Sequence, residues 1–178
     1  MGVMCSAYLG MSLDGFIAGP NGELDWLEQV DVIDGEDFGY VAFMGSVDAL
    51  IMGRRTYEIV ANMPIPWPYT LPVVVMSSSV TAIPGEIAPL EVFAGTPAEM
   101  VQEARNRGWS KLYIDGGLLV SSFVNERLLD ELIVSVLPVA LGSGTALFAG
   151  LDGHHWLKHE ETTTFSNGMV QLRYTKKS

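Results

Sequence analysis

The chain has 178 residues, 48% of them hydrophobic and 17% charged, which suits one domain with a sizeable core and excludes a disordered chain. Its net charge of −11 repels phosphate and disfavours general nucleic-acid binding. No apolar run is long enough to cross a bilayer, the first residues lack the basic segment of a secretory signal, and the lone Cys5 has no disulfide partner, so a cytoplasmic protein is expected.

Residues 3–9 read as a first strand. Residues 10–22 follow as a loop dense in glycine with apolar residues between, a composition that can cover a ligand. Residues 23–29 carry a helical pattern, with Asp25 and Trp26 between Leu24 and Leu27. Residues 31–37 are acidic and loop-like, and 38–46 are helical again. The unbroken apolar run 49–52 is that of a strand buried on both faces. Gly53-Arg54-Arg55-Thr56 turns it into a helix over 56–61, and a connection with four prolines leads to a second buried strand at 73–76. Ser77, Ser78 and Ser79 place hydroxyls at its carboxyl end.

A short strand at 91–93 precedes a helix with an explicit start: Thr96 as cap, Pro97 first, Glu99 three residues after the cap, and Gly108 as stop. Residues 112–114 form a strand that Asp115-Gly116-Gly117 breaks before a helix over 118–125. Strand, glycine turn and helix present free backbone N–H groups where an anion can sit, and paired glycines allow a ligand close to the main chain. Residues 132–137 are a strand stopped by Pro138, and two alternating runs, 158–165 and 169–175, flank Asn167-Gly168 as a hairpin. No repeat or linker divides residues 1–178, so a single domain is expected. The order of elements predicts an α/β fold: a central, mostly parallel sheet, helices on both faces, and an antiparallel C-terminal hairpin.

In such sheets ligands bind beyond the carboxyl ends of the strands. Three ends carry suggestive groups: 53–56, 77–78 and 116–117. Before Arg105 the only basic residues are Arg54 and Arg55, either a local anion site or a solvated pair offsetting nearby acids. His154, His155 and His159 lack a completing ligand at a recognisable spacing, so no metal site is expected.

Five segments in this order, residues 11–27, 51–58, 73–79, 113–123 and 136–148, resemble the dihydrofolate-reductase-like fold. They are most similar to stand-alone relatives of the reductase (C-terminal) domain of bifunctional riboflavin-biosynthesis enzymes. The resemblance implies an NADPH-dependent reductase passing a hydride to a pyrimidine- or pteridine-type substrate, such as a 5-amino-6-(5-phosphoribosylamino)uracil-like compound. By the same resemblance, Gly53, Arg54, Arg55 and Thr56 grip the adenosine phosphates, and Ser77 and Ser78 lie near the ribose and 2′-phosphate. Ile17 and Ala18 cover the nicotinamide. Gly116 and Gly117 match a cis Gly-Gly, with Leu118 and Leu119 opening the pyrophosphate helix. One departure stands out: the riboflavin-pathway reductases carry Asp-Asn-Pro or Asp-Asp-Pro after the strand that ends here at Met52, and this chain does not.

Hydride transfer also calls for a proton or a polarising group, and a carboxyl raised by burial can supply it. Asp25 and Asp14 are the candidates; the plain alternatives are a helix-surface carboxylate and a turn residue. Trp26 is either core or a stacking surface for substrate. A second reading keeps the fold as a nucleotide-binding or oligomerisation module without chemistry. A homodimer is expected through the hairpin and residues 132–137.

Overall fold

The apolar runs become the middle of one sheet. The computed structural model describes residues 2–79 and 90–177. Its strands are β1 (Met4–Ser12), β2 (Phe16–Ala18), β3 (Ala49–Gly53), β4 (Val73–Met76), β5 (Leu90–Phe93), β6 (Lys111–Asp115), β7 (Glu131–Leu137), β8 (Thr145–Ala146), β9 (Leu157–Thr164) and β10 (Val170–Lys176). Helices α1 (Tyr40–Met44), α2 (Arg54–Ala61), α3 (Pro97–Asn106) and α4 (Gly117–Asn125) lie between them. The main sheet runs β5-β4-β3-β6-β1-β7-β10-β9. It is parallel from β5 to β7, and β10 and β9 each pair antiparallel, as the Asn-Gly signal implies. Gly168 takes the positive φ, 83°, that this turn demands.

Alternation along the strands sorts the core into two layers. Ile51, Val74, Leu112 and Ile114 face Met100 and Ala104 of α3 and Val120 and Phe123 of α4. Leu50, Met52, Val75 and Tyr113 face the opposite way, packing with Phe43 of α1 and Tyr57 of α2. The period of two puts Asp115 on the same face as Tyr113. Residues 49–52 and 73–75 are fully buried, consistent with the two-sided burial inferred from their unbroken apolarity.

The differences from the sequence reading are local. The helix expected over 23–29 shrinks to one 3-10 turn, Asp25–Leu27, because Trp26 is its single buried residue and no side chain caps it. The helix expected over 38–46 begins only at Tyr40. Phe38 and Gly39 both have positive φ, and the Asp37 carboxylate accepts from the amides of Gly39 and Val41. β2 and β8 form a small separate sheet that was not expected. Residues 132–137 lie in β7, paired with β1 and β10. The outer strand β9 is polar and exposed almost throughout, a composition that discourages edge-to-edge pairing.

Candidate functional site

β3 and β6 are parallel neighbours, so they end on the same edge, and each runs directly into a helix. Gly53 caps α2 and Gly116 caps α4, and neither helix start has a side-chain cap. By contrast, α3 closes its own start: Thr96 Oγ1 accepts from the Glu99 amide, and Glu99 Oε2 accepts from the Thr96 amide. The first amides of α2 and α4 thus remain available while those of α3 are partly occupied, and the α2 and α4 dipoles place partial positive charge at one spot. The two starts abut. A Cβ added at Gly116 would lie 3.9 Å from the Gly53 amide nitrogen and collide with Thr56 Oγ1. Gly116 has φ 97°, so both its conformation and its surroundings require glycine.

From this junction the site extends in two directions. On the β4 side, an Arg54 terminal nitrogen donates to Ser79 Oγ at 3.2 Å, and Ser77 Oγ lies 3.4 Å from Ser79 Oγ. The Ser77 amide donates to Phe93 O, which fixes the turn, while Ser78 is exposed. Arg54 also pairs with Glu58 at 2.6 Å, one turn along α2, and Arg55 stands exposed beside it. On the β1 side, the Gly117 position lies against Ile17 Cδ1 and Ala146 O, each 3.0 Å from where a Cβ would sit. Gly144 packs closer still, since a Cβ there would collide with the Ala18 carbonyl oxygen. The β2–β8 sheet therefore holds Ile17 and the buried Ala18 at the start of α4. Leu118 is exposed there and Leu119 half-buried. Ser77–Ser79, Arg54, Gly53, Gly116, Gly117, Ile17 and Ala18 form one continuous row, with Arg54 and Gly116 on the same edge of the sheet.

The carboxylates fall differently. Asp14 Oδ1 accepts from Ser12 Oγ at 2.7 Å and the Leu141 amide at 3.0 Å, and Oδ2 accepts from the Gly142 amide at 2.7 Å. These bonds, the Ser12 hydroxyl first, lower its pKa to about 2, opposite to what a proton donor needs, so Asp14 acts as a brace between two loops. Asp25 is exposed on its 3-10 turn. Trp26 is buried against Leu137 and Met169 with its Nε1 donating to Glu23 O, so it is a core residue.

The group that sequence reasoning passed over is Asp115. It is the last residue of β6, beside Gly116 at the junction, and burial pushes its carboxyl up to about 6 despite a hydrogen bond from the Gly116 backbone. Burial first, and the Asp115 charge after it, raise the phenols of Tyr40, Tyr69 and Tyr113. The signal was present in period two: Tyr113 and Asp115 must share a face, and a carboxylate closing a strand of buried residues is rarely solvated.

A sheet of this topology, with helix starts and a glycine junction gathered at the carboxyl ends of its strands, defines a protein of the dihydrofolate-reductase-like class. The chain belongs to the family described as RibD C-terminal domain, whose model matches residues 5–171. It is 36% identical over 172 residues to the uncharacterized protein YwjB of Bacillus subtilis, covering 95% of each chain. It is 32% identical to a putative riboflavin biosynthesis protein from Shewanella sp. PV-4, whose crystal structure it covers completely in both directions with a TM-score of 0.93. The dihydrofolate reductase of Enterococcus faecalis complexed with NADP(H) shares the fold, with a TM-score of 0.66 at 18% identity over 98% of this chain and 97% of that one. The fold is thus of the reductase type. No helix among the described residues is long and apolar enough to cross a membrane.

Proposed function

We propose that this chain is a reductase that takes a hydride from NADPH and passes it to a small nitrogen heterocycle of the pyrimidine or pteridine kind. The observation that carries the reading is the meeting of two glycine-capped helix starts, α2 and α4, at the ends of adjacent strands. Two uncapped helix N-termini facing one spot suit a pyrophosphate, the central group of a dinucleotide. The row of residues fits the rest of the molecule in order. Arg54, Arg55 and the serines at 77–79 suit the adenosine 2′-phosphate, because guanidinium groups hold phosphate oxygens through paired hydrogen bonds. Ile17 and Ala18 offer an apolar cover for the nicotinamide at the other extremity.

Bound there, the cofactor supplies the hydride; the chain supplies position and a proton. Asp115 is suited to be the donor. With a pKa of about 6, a useful fraction is protonated near neutrality, and it lies next to the glycine junction. A hydride added to a C=N carbon leaves charge on nitrogen, and the Asp115 proton neutralises it.

The test is NADPH binding followed by energy transfer from the tryptophans, with turnover followed by loss of the reduced nicotinamide absorbance across a panel of heterocycles. Replacing Arg54 and Arg55 together by Ala should weaken NADPH by roughly 10- to 100-fold while changing NADH little. Unchanged NADPH affinity in that variant would remove the 2′-phosphate assignment. Tight cofactor binding with no turnover on any substrate would leave a binding module in place of an enzyme.

A further inference from the structure

On the reductase reading above, a substrate ring must lie beside the cofactor row, and the sheet makes room for one where β1 and β6 part. These strands pair only from Met4–Ser6 with Lys111–Tyr113. Beyond that, β1 runs on with β7 to Ser12, and β6 runs on with β3 to Asp115. Past the parting, Tyr8, Gly10, Ser135 and Leu137 line a cavity of about 360 Å³, and residues 30–33 and 36–38 form its outer wall. That volume accommodates a bicyclic heterocycle, and Tyr8, Phe38 and Tyr40 offer a flat ring aromatic surfaces. The strap 30–38 has little of its own to hold it there. Among the described residues the bonds made by its amides are local: the Glu36 amide donates to Ile33 O, and the Phe38 amide to Glu36 Oε1. Val32 is 88% exposed. Phe38 has φ 58°, a left-handed conformation that a bulky residue keeps only under constraint.

The constraint comes from the C-terminal hairpin. Two of its primary amides reach carbonyls of the strap that are 136 and 133 residues away in sequence: Asn167 Nδ2 donates to Asp31 O at 3.0 Å, and Gln171 Nε2 donates to Phe38 O at 3.1 Å. Tyr8 Oη donates to the same Phe38 carbonyl at 2.8 Å. Gln171 Nε2 also lies 3.1 Å from Tyr8 Oη and from Ser135 Oγ, so one amide ties β1, β7 and the strap together. The Phe165 ring, again from the hairpin, meets Phe38 edge-on at 5.0 Å. Asn167 lines the cavity; Gln171 does not. A hollow of this size and a strained aromatic at its wall both cost stability, and such features persist where a ligand uses them.

We infer that Asn167 and Gln171 are positioning residues for the substrate. By holding the Asp31 and Phe38 carbonyls they keep the strap closed on a flat ring in the cavity, and the strap must let go of them for the ring to enter or leave. The hairpin thereby governs how tightly and how long the ring is held, while the glycine junction governs the cofactor.

The test removes each donor while keeping the shape. Asn167→Asp preserves a turn of the Asp-Gly kind, Gln171→Glu preserves size, and Gln171→Leu removes the donor without adding charge. The probe is 6,7-dimethylpterin, titrated by its own fluorescence on the NADPH-loaded protein and on the protein without cofactor. Each variant should weaken the probe about ten-fold, mainly through faster release, with NADPH affinity unchanged. Hydrogen exchange reads the strap directly. Amides of residues 31–38 should exchange about ten-fold faster in the variants, and slower in the native protein once the probe is bound. Amides of β1 and β7 should keep their native rates, which separates a clasp from a general loss of stability. Probe affinity and strap exchange unchanged in Asn167→Asp and Gln171→Leu would overturn the inference. So would NADPH affinity falling in step with the probe, a probe that binds without slowing strap exchange, or no binding of the probe. NADPH affinity in the native protein is scored separately: its absence would overturn the reductase reading, and the cofactor-free titration and exchange would still judge the clasp alone.

Discussion

Two residues at the junction make opposite demands. Gly116 is fixed by geometry: at φ 97° with Thr56 Oγ1 in the way, an alanine must strain its backbone and displace its neighbour. Gly116→Ala should lower stability by about 1–3 kcal/mol in urea denaturation and weaken NADPH more than it weakens folding. Asp115 is fixed by electrostatics. Its folded pKa of about 6 lies above the ordinary value of 3.8, so the folded state holds the proton longer than the unfolded one. Stability from this group is therefore complete below about pH 4, declines as pH rises to about 6, and is flat above. Asp115→Asn should abolish that slope and raise stability at neutral pH, on the order of 1–2 kcal/mol. It should also lower kcat by about 100- to 10,000-fold and remove the fall in activity above pH 6 that loss of a donor proton produces. Activity that keeps its pH profile in Asp115→Asn would exclude Asp115 as the donor. At this scale the sequence was only partly legible. Glycines and arginines advertise themselves by type, whereas Asp115 reads as part of a turn unless the period of two is carried on from Tyr113.

Helix starts show how an element divides between stability and function. α3 satisfies its first amides with Thr96 and Glu99, a pattern readable in four consecutive residues. Thr96→Ala should therefore cost about 1 kcal/mol in thermal or urea unfolding and leave NADPH affinity unchanged. The starts of α2 and α4 carry no such cap, and their open amides are what a ligand would complete. Elements with a strong local signature were found nearly to the residue: the buried strands, the capped helix and the Asn-Gly hairpin. Those decided by distant partners were not. β2 and β8 are three and two residues long and exist only because Phe16 and Ala18 meet Ala146 and Thr145. The helical pattern over residues 23–29 yields only the turn Asp25–Leu27, because Leu24 and Leu27 mimic a helical stripe that the tertiary structure does not bury as one.

For the molecule as a whole, ligand binding and global unfolding should be linked. Cys5 sits in the middle of the sheet, and burial, reinforced by Asp130, pushes its thiol up to about 12. It should resist thiol reagents in the native state and react when the sheet opens, so labelling reports global unfolding. NADPH at about 100 times its Kd should stabilise the protein by about 2.7 kcal/mol, raise Tm by about 5–10 °C and slow that labelling in proportion. Labelling at the rate of a free thiol, with or without NADPH, would show that β1 opens locally.

The place of β1 also has a consequence for biogenesis. β1 leaves the ribosome well before its neighbours β6 and β7: Met4 pairs with Lys111, and Ser12 with Leu137. Until residues 111–137 have been translated, β1 has no native edge to join. Nascent chains should therefore depend on holdase chaperones, and the final docking of β1 between its two waiting partners is the natural slow step in acquiring the native state.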